Sequence, residues 1–112
     1  MFGVLNDTAT ARELWDILPC SSMANTWGEE VYFSVPMNAE LEADAQQVVP
    51  AGTICFWVEG RSLAIPFGPT PVSRGNECRL VTRVNIVGKL EGNAQMLASI
   101  RGGDRIRIDA AA

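Results

Sequence analysis

The fold is decided by the stretch TICFWVEGRSLAIPF at residues 53–67. Residues 53–58 and 62–67 are both rich in β-branched, aromatic and other apolar side chains, and the segment Glu59-Gly60-Arg61 between them is a glycine-containing turn. These two runs predict a pair of neighbouring strands. Their continuous apolar character is typical of strands that are buried in a closed core.

Strand and helix signals continue on the N-terminal side of this stretch. Asn6-Asp7-Thr8 carries side chains that favour turns and helix caps, and the apolar residues that follow recur at three- and four-residue spacing. This pattern predicts a helix from Ala9 to about Leu18. Residues 22–26 and 30–35 predict a hairpin with one buried and one solvent-facing side, because their apolar residues alternate with polar ones.

The remaining segments complete a mostly β chain. Residues 36–47 are acidic and predict a surface excursion with at most an edge strand, and the two prolines of residues 68–71 predict a stiff loop. Residues 84–90 predict a strand, residues 94–100 a short helix and residues 105–108 a last alternating strand. We therefore expect a closed antiparallel β-barrel of about eight strands with one or two short helices.

Composition limits what the chain does. Its 112 residues predict one domain over residues 1–112, with 47% hydrophobic and 20% charged residues, as in ordinary globular proteins. The formal net charge of −4 repels a phosphate backbone, so nucleic acid is not an expected partner. No stretch has the length and apolar character of a membrane span or signal peptide, which predicts a cytoplasmic protein with no membrane partner.

Cysteine and histidine usage excludes several chemistries. Cys20, Cys55 and Cys78 are widely spaced and odd in number, so we expect reduced thiols rather than a disulfide framework. Because the chain contains no histidine, it has no Ser-His or Cys-His pair and no imidazole ligand for a metal. We expect no metal and no cofactor, and the sequence identifies no catalytic residue.

The hairpin carries the first candidate site. Asn25, Trp27, Glu30 and Tyr32 bring an amide, a carboxylate and two large aromatic rings together within eight residues, and strand alternation places Glu30 and Tyr32 on the same side. This combination is typical of a site for a small polar ligand. The alternative is a structural hairpin in which Trp27 packs over a barrel end and Glu30 is solvated.

Other polar and aromatic residues extend the set of candidates. The stiff loop offers a ring, a proline and a hydroxyl for binding, although it also serves as a corner of the chain. An amide in an apolar strand needs hydrogen-bond partners, and arginines bind either carboxylates or neighbouring acidic residues. The additional candidate ligand-binding residues are Trp57, Arg61, Phe67, Pro69, Thr70, Arg79 and Asn85.

Four motifs occur in an informative order. They are LNDT at residues 5–8, NTWGEEVYF at 25–33, FGPTP at 67–71 and VNIVG at 84–88. With these motifs the chain resembles the prokaryotic cyclophilin-like domain family of unknown function. The resemblance implies an eight-stranded cyclophilin-type barrel with helices closing its ends. The resemblance also implies a full strand before the Asn6-Asp7-Thr8 turn, where this sequence has only Met1 to Leu5. We therefore expect a shortened first strand, or one whose edge is completed by a neighbouring chain in a homodimer.

Three functional hypotheses follow. The leading one is a domain that binds a small molecule or a peptide segment in a rim cleft near Trp27, Trp57, Phe67 and Pro69 without demonstrable catalysis. The resemblance suggests a low-activity peptidyl-prolyl isomerase as the alternative, with Arg61, Arg79 and Arg83 as candidates for the arginine that such enzymes use. A structural or assembly module is the third.

Overall fold

The computed structural model describes residues 1–111 and shows a mostly β chain. The helices of this part are α1 (Ala9–Asp16) and a 3-10 helix (Ala94–Ser99). The strands are β1 (Gly3–Leu5), β2 (Cys20–Met23), β3 (Asn25–Thr26), β4 (Glu30–Ser34), β5 (Gln46–Val49), β6 (Thr53–Trp57), β7 (Ser62–Pro66), β8 (Cys78–Leu90) and β9 (Arg105–Ile108).

Helix α1 begins where the cap motif predicts. The Thr8 side chain accepts a hydrogen bond from the Ala11 backbone N–H at 3.1 Å, which satisfies one of the free donors at the helix start. Ala11 and Leu14 are buried against the sheet. The helix ends at Asp16 rather than Leu18, because the Ile17 and Leu18 N–H groups donate to carbonyls three residues back.

All strand pairings are antiparallel. The large sheet runs in the order β1-β8-β6-β7-β4-β3, β5 pairs with β8 beside this path, and β2 and β9 form a separate two-stranded sheet. The first part of the long β8 pairs with β5, and its last part pairs with β1 and β6. Among residues 1–111 no strand pairing joins β1 to β3, the two ends of the large sheet, so the predicted closed barrel is not confirmed.

The predicted hairpin is shorter than its alternating pattern indicates. Only Asn25–Thr26 pair with β4, whereas Cys20–Met23 pair with the terminal strand β9. The division falls at Ala24, whose N–H donates to the Asp104 carbonyl and whose carbonyl accepts from the Gly103 N–H, both at 2.8 Å. These long-range bonds hold the first half of the predicted strand in the second sheet.

The large sheet is apolar on both faces. On one face the core contains α1 and residues that include Val31, Phe33, Ile54, Phe56 and Leu63. On the other face a smaller cluster contains Val49, Cys55, Ala64, Cys78, Leu80 and Val84, with Tyr32 and Trp57 at its border. Neither described helix is long and apolar enough to cross a membrane.

Candidate functional site

The smaller cluster borders a cavity of about 180 Å³, which we call the aromatic pocket. Four strands and one turn contribute to it. The lining residues are Trp27, Glu30, Tyr32, Trp57, Ala64, Leu80, Val81 and Val84. Its floor is buried, whereas Val81 is 52% exposed and the three aromatic side chains are partly exposed at the mouth.

Glu30 is the charged residue among those that line the aromatic pocket. It is the first residue of β4, opposite Pro66 of β7, and only 5% of its surface is exposed. Its Oε1 atom is buried without a hydrogen-bond partner among the described residues, and this burial raises the pKa of Glu30 to about 7. The expectation of a solvated Glu30 is wrong, because β5 and β8 cover the predicted solvent-facing side of β4.

Trp27 is held at the mouth by a tight turn. Its N–H donates to the Glu30 carbonyl at 3.0 Å, and Gly28 has a φ of 58°, in the left-handed region that favours glycine. A Cβ atom on Gly28 would lie 2.9 Å from the Thr70 Cα, so the turn packs directly on the proline-rich loop. The Glu29 N–H donates to the Pro69 carbonyl at 3.0 Å and fixes this contact.

Tyr32 and Trp57 form the aromatic wall. Their rings meet edge to face, with centroids 6.2 Å apart and an interplanar angle of 84°. The Trp57 indole lies over the backbone of Gly60, where a Cβ atom would be only 2.2 Å from Trp57 Cε3. The glycine of the β6–β7 turn therefore sets the position of the indole.

The structure brings four sequence-predicted candidates into this pocket: Trp27, Glu30, Tyr32 and Trp57. Asn25 lies outside it and uses its side-chain amide to donate to the Tyr32 carbonyl at 3.4 Å. Arg61 is exposed on the turn with a φ of 45° and is likewise not a lining residue.

The candidates of the proline-rich loop, and Arg79 after it, do not line the pocket. Phe67 is buried in the main core. The Thr70 hydroxyl donates to the Arg79 carbonyl, and the loop that includes Pro69 is thereby tied to the start of β8. The Arg79 guanidinium pairs with Glu77 at the surface.

Asn85 lies on the opposite face of β8 from Val84 and is completely buried. Its Oδ1 accepts from the Glu42 N–H at 2.8 Å, and its Nδ2 donates to the Glu40 carbonyl at 2.8 Å and to Thr10 Oγ1 at 3.0 Å. These bonds pin the acidic segment to the start of α1. The amide is fully engaged in structure and does not face the pocket.

The sequence did not reveal the aliphatic half of the pocket. Leu80, Val81 and Val84 lie on β8, whose first residues carry no simple alternation, and Ala64 is one residue within a continuous apolar strand. The small volume of Ala64 between Leu63 and Ile65 was the one available signal, since a small side chain in a packed sheet leaves room above it.

A second depression lies beside α1. Its lining residues are Leu5, Asn6, Ala11, Arg12, Trp15 and Asp16. None of the sequence-predicted candidates lies there. Trp15 is 52% exposed and gives this surface its own spectroscopic probe.

Among residues 1–111 the three cysteines are unpaired and the possible metal ligands do not cluster. Cys20, Cys55 and Cys78 are free thiols, and no group of three or more acidic, cysteine or histidine side chains is placed to hold a metal ion. Burial raises the pKa of Cys55 and of Cys78, and the nearby Glu30 carboxylate adds to both effects.

The geometry defines a small antiparallel sheet protein with an aromatic pocket on one face. The model of the cyclophilin-like family matches residues 1–109, and the chain belongs to that family. It is also similar to the hypothetical protein AF2241 from Archaeoglobus fulgidus, whose structure was solved in solution. That similarity has a TM-score of 0.81 and 29% sequence identity, and it covers 97% of this chain and 85% of the archaeal one. The search of curated proteins gave no significant match.

Proposed function

We propose that this protein is a binding domain whose aromatic pocket holds a small molecule or a side chain of a peptide. The observation that carries the proposal is a cavity of about 180 Å³ with Trp27, Tyr32 and Trp57 at its mouth and a buried floor. Ligand sites are usually concave and apolar with a few placed polar groups, and this pocket has that composition. Nucleic acid and membranes are not partners that we propose.

The volume defines what enters. An apolar cavity of about 150 Å³ holds a benzene molecule, so this pocket accommodates one six-membered ring or a short alkyl chain. Aromatic side chains contribute large contact areas at small entropic cost, because two χ angles fix each ring. We expect weak binding of single rings and tighter binding of larger molecules that place one ring here.

The test is an NMR titration of the indole N–H signals with ring-bearing fragments such as indole, phenol and benzyl alcohol. Trp27 and Trp57 should shift together, whereas Trp15 marks binding in the depression beside α1. Shifts confined to Trp15, or no shifts at millimolar concentrations, would refute the proposal.

A filling substitution provides the matched control. Ala64→Leu adds three carbon atoms to the floor and should abolish the Trp27 and Trp57 shifts while the rest of the spectrum keeps its dispersion. Ala98→Leu makes the same chemical change on the exposed 3-10 helix and should leave binding unchanged. If Ala64→Leu unfolds the protein, Ala64→Val is the smaller filling change.

The isomerase alternative has less support. Among the described residues no arginine lines the aromatic pocket, and Arg79 is paired with Glu77 outside it. We expect a protease-coupled assay with proline peptides to give the rate of buffer alone. A protein-dependent rate that falls when Arg61, Arg79 or Arg83 is replaced would restore this alternative.

The sheet edge favours self-association as a second property. Strand β1 ends the strand order of the large sheet, and beside it Phe2 and Val4 are 67% and 49% exposed. We propose that a second copy of this chain covers this edge. X-ray scattering should show a dimer that Phe2→Glu with Val4→Glu converts to a monomer. A wild-type monomer at the highest soluble concentration would contradict this.

A further inference from the structure

The aromatic pocket contains a negatively charged side chain with no positively charged residue among those that line it. Of the residues that line it, Glu30 alone carries a charge, and its Oε1 atom has no hydrogen-bond partner within residues 1–111. A buried carboxylate without a partner is unfavourable, because it loses hydration and receives nothing in return. The wall that surrounds it consists of aromatic and aliphatic side chains.

We propose that the aromatic pocket binds an organic cation, an ammonium group on an apolar stem, whose charge pairs with Glu30. The stem packs against Tyr32 and Trp57, and the faces of these rings add cation–π attraction. The ammonium group donates charge-assisted hydrogen bonds to the carboxylate oxygens. This inference rests on the proposed binding function and names the chemical class of its ligand.

The groups that face Glu30 do not compete for this role. Tyr32 lies on β4 itself, Cys55 on β6 and Cys78 at the start of β8, whereas the Glu29 carboxylate in the adjacent turn lies against Gly68. After burial itself, the Glu30 charge is among the causes that raise the pKa of both thiols. Strand β7 contributes no titratable side chain to this face, and none of the facing groups is positively charged. A cation is therefore the missing complement.

Two sources supply this chemistry. A free amine and the side chain of a lysine in a polypeptide both present an ammonium group on an apolar stem. We test the first with cyclohexylmethylamine against cyclohexylmethanol, which has the same shape and no charge. We test the second with the end-blocked peptide Gly-Lys-Gly against the same peptide with norleucine in place of lysine.

The experiment measures each affinity from the Trp27 and Trp57 indole shifts at pH 5.5 and pH 8. With a pKa of about 7, Glu30 is about nine-tenths ionised at pH 8 and about one-thirtieth ionised at pH 5.5. An alkyl amine stays protonated throughout this range. We expect the amine to bind about tenfold more tightly than the alcohol at pH 8 and less than about threefold more tightly at pH 5.5.

Variants separate charge from shape. Glu30→Gln should remove the preference for the amine at pH 8 and leave the affinity for the alcohol in place. Glu59→Gln deletes an exposed carboxylate elsewhere and should keep the preference. If Glu30→Gln does not fold, the pH dependence in the wild-type protein decides alone.

The failures are distinguishable. Equal binding of the amine and the alcohol at pH 8 overturns the cation inference and leaves the binding function standing. Absence of binding by both compounds and by the neutral fragments overturns both. The lysine peptide identifies the source: binding weaker than that of the free amine favours a small molecule, and tighter binding favours a polypeptide.

Discussion

Replacing Glu30 by glutamine should stabilise the folded protein at pH 8 and have little effect at pH 4.5. Burial raises the pKa of Glu30 from its ordinary value of 4.5 to about 7, so the folded chain holds this proton more tightly than the unfolded chain does. The free energy of unfolding therefore falls as the pH rises from about 4.5 to above 7. Glutamine does not ionise and removes this dependence.

The magnitude follows from the two pKa values. At 1.36 kcal/mol per pH unit, the rise from 4.5 to about 7 corresponds to about 3 kcal/mol of stability lost by the wild-type protein at high pH. At pH 4.5 the protonated carboxyl group of the wild type and the amide of the variant both leave buried polar atoms without a partner, so these costs, about 1–3 kcal/mol each, nearly cancel. The difference between variant and wild type should thus shift by about 3 kcal/mol between pH 4.5 and pH 8, whatever its starting value.

The assay is urea unfolding followed by near-ultraviolet circular dichroism, at half-unit steps from pH 4.5 to pH 8.5. Glu59→Gln removes one charge from an exposed turn and controls for the change in net charge from −4. It should follow the wild-type pH profile. Stability profiles of wild type and Glu30→Gln that run parallel across the whole range would refute the assignment of a buried, unpaired carboxyl group.

Three further predictions concern the frame of the pocket. Gly60→Ala places a Cβ atom 2.2 Å from Trp57 Cε3 and should weaken fragment binding at least tenfold in the indole titration. Gly102→Ala, whose Cβ atom would have no described atom within 4 Å, should leave binding unchanged. Equal binding by the two variants would contradict the role of the Gly60–Trp57 contact. Asn85→Leu breaks the three hydrogen bonds of a buried amide and should lower the free energy of unfolding in urea by about 2–5 kcal/mol. A loss below about 1 kcal/mol would show that the network is dispensable. Arg61→Gly relieves a positive φ, so the free energy of unfolding in urea should stay the same or rise by up to about 1 kcal/mol, and fragment binding should not change. A clear fall in the free energy of unfolding would show that the arginine side chain has a structural role.

The sequence predicts the local elements of this fold well where local chemistry decides them. The cap at Thr8, the strands on either side of Gly60 and the last strand Arg105–Ile108 all depend on residues close in the chain. Long-range pairing decided what the sequence missed. The pattern of residues 22–26 predicts one hairpin strand, but Ser22 and Met23 pair with β9, where the backbone of Ala24 bonds to residues 103 and 104.

The same distinction applies to the site. Alternation in β4 places Glu30 and Tyr32 on one side, and the structure has them there. Whether that side is wet depends on β5 and on the first part of β8, and neither strand has a clear local signal. Their positions convert a surface carboxylate into a buried one, and pairing between distant strands cannot be read from alternation alone.

The buried carboxylate links stability to binding. An apolar residue at position 30 would suit the surrounding side chains better than a glutamate that costs about 3 kcal/mol above pH 7. A ligand present at a hundred times its dissociation constant stabilises the folded state by about 2.7 kcal/mol, which is of the same size. Ligand-free protein should therefore be least stable at high pH, where a cation gains most from the ionised Glu30. Saturation with cyclohexylmethylamine should raise the melting temperature more at pH 8 than at pH 5.5, and an equal rise at both values would separate the stability cost of Glu30 from any role in binding.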